Sequence, residues 1–150
     1  MSWTNTDGLT VLMHEEQGEV KDGGLATKFA KKTLKLKLDL TEDKAVAAND
    51  AFIPAGSYIT SAHIVVTTAA AGGTSINFGL ADSAGSAIDA DGIDAAVATA
   101  ALAANKAVVC DGALVGGADG VGAADAYITT ANTGTFTAGE AVLLIEYIEV

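Results

Sequence analysis

The sequence predicts an all-β chain: an antiparallel β-sandwich or jelly-roll-like barrel over residues 33–150, led by an extended N-terminal arm over residues 1–32 and carrying one short helix. Two patterns carry that prediction. Leu34, Leu36, Leu38 and Leu40 alternate with Lys35, Lys37 and Asp39, the period of a strand with one face on a core and the other in water or against a partner. After them come further short apolar or β-branched segments, seven or eight strands in all, separated by Gly, Asn, Asp and Pro turn signals.

The arm comes first. Gly8, Gly18, Gly23 and Gly24 interrupt its short apolar groups, which leaves a strand near Thr10–Met13 and a brief amphipathic helix at Leu25–Phe29, with Lys28, Lys31 and Lys32 beside it. The strand from Thr33 follows, then a polar, acidic loop from Thr41 to Asp50. Ile53-Pro54-Ala55-Gly56 forms a turn, because proline fixes φ and Gly56 permits a positive one. Tyr58–Thr67 reads as a long strand, with Ile64 and Val66 on one face and Ile59 and Val65 on the other. Through Ala69–Gly73 it joins a strand at Thr74–Leu80 as a hairpin.

Asp82–Gly92 reads as a polar loop, and the alanine-rich stretch Ile93–Asn105 supplies the helix, with Asp94 near its start to favour the helix dipole. Ala107–Cys110 and Ala113–Val115 flank Asp111-Gly112, a two-residue hairpin signal. Beyond the Gly-rich loop Gly116–Gly122 come a strand at Ala126–Ala131, a turn at Asn132-Thr133-Gly134, a short strand at Thr135–Thr137, a turn at Ala138-Gly139 and a last strand at Ala141–Glu149. Val142 through Ile148 is apolar on both faces for much of its length. An exposed edge would make it an aggregation template, so it belongs at a sheet centre or a subunit contact.

Charge divides the chain. Residues 1–44 hold 7 Lys against 8 acids, whereas residues 45–150 hold 1 Lys against 11. With no arginine and a net charge of −11, the chain lacks the clustered bases that nucleic-acid binding draws on. No stretch reaches the roughly 20 apolar residues of a membrane span, and the N-terminus lacks the basic start and apolar run of a secretory signal, so a soluble product made and kept in the cytoplasm is expected. Alanine supplies much of the 50% hydrophobic content, which leaves room for subunit contacts to add stability.

Catalytic groups are sparse. His14 begins His-Glu-Glu-Gln-Gly without a second histidine, and His63 lies in a strand with no Cys or His beside it. Gly73-Thr74-Ser75-Ile76-Asn77 misses the second glycine of a nucleophile elbow, so Ser75 reads as a strand residue. Cys110, the single cysteine, follows Val108 and Val109 and reads as a buried, inert thiol. Asp89, Asp91 and Asp94 around Gly92 resemble a calcium loop in part but lack its other ligand positions, and Asp119 and Asp125 do not reproduce a calcium repeat. The Gly-rich loops lack the lysine of a phosphate loop. Glu140, Glu146 and Glu149 lie at or near the last strand, but Glu146 and Glu149 point to opposite faces of it, which disfavours a paired-carboxylate glycosidase. Neither catalysis, metal nor cofactor is expected.

Ile53-Pro54-Ala55-Gly56-Ser57-Tyr58-Ile59-Thr60, Val65-Val66-Thr67-Thr68, Gly73-Thr74-Ser75-Ile76-Asn77-Phe78-Gly79 and Thr137-Ala138-Gly139-Glu140-Ala141 leading into Ile145-Glu146-Tyr147-Ile148 resemble small virion proteins of tailed bacteriophages, capsid decoration or cement proteins among them. The likeness spans about residues 52–150. It implies a β-rich homo-oligomer, commonly a trimer, bound outside the assembled head with an arm on the major capsid protein. Phage tail and fibre components share the style. On that implication the shell contacts are Trp3, Leu9, Val11, Met13, Lys28, Phe29, Lys31, Lys32, Lys35 and Lys37. A binding protein of this kind gains affinity by ordering an arm and by repeating the contact across an oligomer.

Overall fold

Alternating and β-branched segments dominate the sequence, and strands dominate the structure. The computed structural model describes residues 2–4, 10–12 and 30–150, and the chain divides into two compact units, Met1–Ala30 and Lys31–Val150. In the first unit β1 (Ser2–Thr4) pairs antiparallel with β2 (Thr10–Leu12), opposing Trp3 to Val11. The expected helix at Leu25–Phe29 lies outside the described residues.

The second unit holds β3 (Lys31–Asp39), β4 (Phe52–Ile53), β5 (Tyr58–Gly72), β6 (Ser75–Ala81), β7 (Ala87–Ala98), β8 (Ala107–Val109), β9 (Ala126–Thr133) and β10 (Phe136–Ile148). They form two four-stranded antiparallel sheets, ordered β3-β10-β5-β8 and β4-β9-β6-β7. The pairing is nested: the first of these eight strands lies beside the last, the second beside the seventh, the third beside the sixth and the fourth beside the fifth. A long antiparallel ribbon rolled onto itself gives this arrangement, that of a jelly roll. Between the sheets the core collects Leu34, Leu38, Ile64, Val66, Ile76, Phe78, Leu80, Ile93, Ile128, Leu143 and Ile145, all buried.

β10 sits at the centre of its sheet, as its two apolar faces require. The turn expected at Ala138-Gly139 is absent. Phe136–Ile148 runs as one strand, and register shifts against β5 between Phe136 and Ala141 absorb the irregularity as bulges. A further shift between Glu146 and Tyr147 turns Ile59 inward opposite Tyr147, so Ile59 joins Ile64 and Val66 in the core rather than sharing a face with Val65.

Four other expectations are overturned. β5 and β6 are not a hairpin: β5 is paired on both sides, by β10 and β8, and β6 lies in the opposite sheet between β7 and β9. The helix at 93–105 is the end of β7 followed by a single 3-10 turn, Thr99–Ala101. Alanine's helix propensity, a few tenths of a kcal/mol per residue, yields here to burial of Ile93 and Val97 against β6. The loop at 82–92 shrinks to the turn that joins β6 to β7, where Asp82 Oδ1 accepts from the N–H groups of Ala84 and Ser86. What made this region look like a loop is an excursion in β7: the three residues of β6 from Phe78 to Leu80 oppose the six of β7 from Asp94 to Asp89. Gly79 is what lets the excursion pass, since a Cβ there would sit 2.2 Å from Ala90 O.

Asp111-Gly112 is no hairpin turn either. Gly112 N–H donates to Ile93 O and Leu114 N–H to Gly92 O, each at 2.9 Å, so residues 112–114 clip onto β7 instead of turning back on β8. Gly112 is needed for its lack of a side chain, because a Cβ would lie 2.4 Å from Gly92 O. The same clip buries the Asp94 carboxyl, which is 6% exposed. Burial raises its pKa, the Asp111 charge and a hydrogen bond to Asp111 add to that, and hydrogen bonds from Ala95 N–H and the Cys110 thiol oppose it.

Two outcomes follow for stability. Gly112→Ala forces backbone against backbone and is expected to cost about 1–3 kcal/mol, read as a lower urea midpoint. Asp94 has a raised folded-state pKa, so its contribution is complete below the unfolded value of 3.8 and is lost as pH rises through the folded value. Asp94→Asn should therefore raise the melting temperature at pH 7, with the gain shrinking towards pH 3.8; a gain of equal size at both pH values would contradict the assignment.

Candidate interaction face

Cross-strand pairing fixes what the outer face of the β3-β10-β5-β8 sheet presents, because residues directly opposite one another share a face. One row reads Lys37, Val142, Val65, Ala107 and the next Lys35, Leu144, His63, Val109. A third reads Thr33, Glu146, Ser61, and a fourth Lys31, Ile148, Tyr58. The middle of the sheet thus holds an apolar stripe of Val65, Val142 and Leu144, half-buried by their neighbours, with Val109 70% exposed at its end and Ile148 set apart from it by the Glu146 row. Lysines from β3 line one margin.

Those lysines differ in electrostatic state. Lys31 Nζ lies 3.6 Å from Glu146 Oε2, which also accepts from Ser61 Oγ at 3.2 Å. Lys32 falls on the opposite alternation and pairs with Glu149 at 2.9 Å. Lys35 and Lys37 have no ion pair among the described residues, and their cross-strand neighbours are Leu144 and Val142. Two lysines without an ion pair among the described residues, beside apolar side chains on a chain of net charge −11, ease the approach of an acidic surface, with Asp39 and Glu140 marking the next row of the same face.

Of the expected contact residues, the structure brings Lys31, Lys35 and Lys37 together on one face. Trp3 and Val11 lie opposite each other in the first unit, and Leu9, Met13, Lys28 and Phe29 lie outside the described residues. Sequence reasoning placed His63 at the surface or in a sheet but did not join it with Val65 and Val109 in this patch. Only the doubly apolar β10 signalled them.

Elsewhere the polar groups serve the fold. Glu146 and Glu149 are held in separate ion pairs, and Glu140 lies opposite Asp39. Asp125 Oδ1 accepts from Ala55 N–H at 2.9 Å, Asp89 Oδ1 from Asp91 N–H at 3.3 Å, and Asp94 is turned to Cys110 and Asp111. Among the described residues no three His, Cys, Asp or Glu side chains converge on a metal position, and no helix is long and apolar enough to cross a membrane. Cys110 is buried, and burial with the charges of Asp94 and Asp111 pushes its thiol up to about 12. A thiol so rarely ionised at neutral pH is a poor nucleophile. Native protein at pH 7.5 should resist iodoacetamide and react once unfolded in urea; rapid native labelling would contradict that burial.

No family model and no curated protein matches the sequence. Solved structures do. A chain of the cyanophage Pam1 capsid asymmetric unit aligns over 100% of both chains with a TM-score of 0.57 and 14% identity. A chain of the capsid of Ralstonia phage GP4 aligns with a TM-score of 0.51 and 14% identity over 79% of this chain and 85% of that one. At that identity the likeness is one of fold: this chain folds like chains of two phage capsid structures.

Proposed function

We propose that this chain is a structural protein of a bacteriophage virion, a decoration or cement protein that sits on the outside of the head and acts by adhesion. The end-to-end match in fold to a chain of a phage capsid assembly is the observation that carries the reading. The outer face supports it with an apolar stripe and a cationic margin on a strongly acidic body, the composition of a binding patch. The partner is the major capsid protein. Lys31, Lys35 and Lys37 meet it together with Val109 and Leu144, Lys32 adds a contact from the start of β3, and Trp3, Leu9, Val11, Met13, Lys28 and Phe29 add contacts from the N-terminal arm. A trimer multiplies each weak contact by avidity. Neither nucleic acid nor membrane is a partner, given the charge.

Quantifying this chain against the major shell protein in purified particles tests the position: a ratio near that of the shell lattice is expected, whereas a few copies per particle would assign it to the tail or a fibre. Rebinding to stripped shells tests the surface. Val109→Asp adds a charge where the side chain is already exposed, so stability should change by less than about 0.5 kcal/mol while shell affinity falls by about tenfold. Deleting residues 1–30 should also reduce occupancy. Full occupancy by both variants would overturn this surface and this arm as the points of contact.

A further inference from the structure

Each four-stranded sheet has two edges, and within the described residues three of the four are covered, broken or short. β4 is two residues long, and the chain before it still covers β9: Lys44 N–H donates to Thr130 Oγ1 at 2.8 Å, Thr130 N–H to Lys44 O at 3.1 Å and Asn132 N–H to Asp43 Oδ1 at 2.7 Å. β7 is broken by its excursion and by Ala96 at φ 48°, and residues 112–114 occupy its middle. β8 is three residues long. β3 differs. Its nine residues pair with β10 in unbroken register, and among the described residues no backbone group occupies its other side. Edge lysines are one of the devices by which proteins discourage indiscriminate pairing, and those of β3 do so while leaving its backbone open to a strand of opposite charge.

The register shows which groups face outwards. Leu40 N–H donates to Gly139 O at 3.0 Å, and that pair continues the β3–β10 register, so the even-numbered residues from Lys32 to Leu40 exchange backbone hydrogen bonds with β10. Antiparallel alternation then turns the N–H and C=O groups of Lys31, Thr33, Lys35 and Lys37 to the open edge. These are the residues whose side chains project from the outer face. A strand arriving at this edge sets every second side chain opposite that lysine row and the rest beside Leu34, Leu36 and Leu38, of which Leu36 is only half-buried. Lys35 and Lys37 offer it uncompensated positive charge.

We propose that the open edge of β3 accepts a strand from another polypeptide, one in which acidic residues alternate with apolar ones. Its acids oppose Lys35 and Lys37, and its apolar residues close over Leu36. The edge is separable from the outer face that supports the virion reading, since Val109→Asp alters the face at β8, three strands away from β3, and leaves the edge intact.

Residue-resolved amide exchange on the full chain tests this, with a capped Val-Glu alternating heptapeptide as probe and its Val-Lys counterpart as control. At millimolar concentration the Val-Glu peptide should slow exchange at Thr33, Lys35 and Lys37 on the order of tenfold, leave Leu34 and Leu36 unchanged and lose its effect in high salt. Lys35→Pro removes an N–H that the sheet does not use and should abolish the slowing. Lys35→Glu with Lys37→Glu keeps the backbone intact and should transfer the preference to the Val-Lys peptide. The proposal is overturned by no slowing, by equal slowing with both peptides, or by amides already protected without a probe. Protection independent of dilution would mean that the chain's own residues hold the edge, and protection lost on dilution that a second copy does.

Discussion

β10 is apolar on both faces for much of its length. Leu143, Ile145 and Tyr147 point inwards and Val142, Leu144 and Ile148 outwards, and at about 25 cal/mol per Å² of apolar surface an exposed, unpaired position for such a strand is the costliest in the chain. Pairing with β3 on one side and β5 on the other removes its edges and brings the first and last strands of the roll together. Between those two ends the remaining strands pair in nested fashion, which gives the sheet order. The same double-sided hydrophobicity leaves an apolar stripe on the outside, so one strand supplies both the closure of the fold and the middle of the interaction face.

Charge decides how that face can be used. A body with 11 acids and one lysine beyond residue 44 repels copies of itself and any acidic surface, and the repulsion is felt over about a Debye length, roughly 8 Å at physiological salt. The lysines of β3 reverse the sign locally. Lys31 and Lys32 are engaged by Glu146 and Glu149 at the start of the strand, which leaves the reversal concentrated at Lys35 and Lys37, next to Leu144 and Val142. Hydrophobic contact and charge complementarity therefore coincide at one spot, where the first supplies affinity and the second orientation.

Local pattern made some of this legible in the sequence. The leucine alternation fixed β3 and its outward lysines, β-branched runs gave β5 and β9, and the doubly apolar segment located β10 at a sheet centre. Pairing partners lay beyond reach because they depend on residues far apart. Nothing near Gly73 says that β6 enters the opposite sheet, and Asp111-Gly112 carries the signature of a hairpin while its glycine is used for close contact with Gly92 and Ile93. In β7, alanine composition and exposed aspartates suited a loop and a helix, since the excursion at 89–94 hides the strand period. On the face, the lysine half was visible and the valine half was not. Val109 belongs to it only because three residues of β8 happen to pair with His63 to Val65.

The open edge and the outer face have β3 as their common margin, and this couples them. A strand added at β3 lengthens the row Lys35, Leu144, His63, Val109 by one position and the row Lys37, Val142, Val65, Ala107 likewise, so the surface available to a partner grows in the direction where charge already favours approach. If one polypeptide supplied both the added strand and the surface over the stripe, the second contact would form at the effective concentration set by the first. Each contact taken alone would be weak: exposed cross-strand charge pairs contribute about 0.2–1 kcal/mol and half-buried valines little more. Adhesion by this molecule therefore depends less on any single residue than on a partner that can reach the edge and the face together.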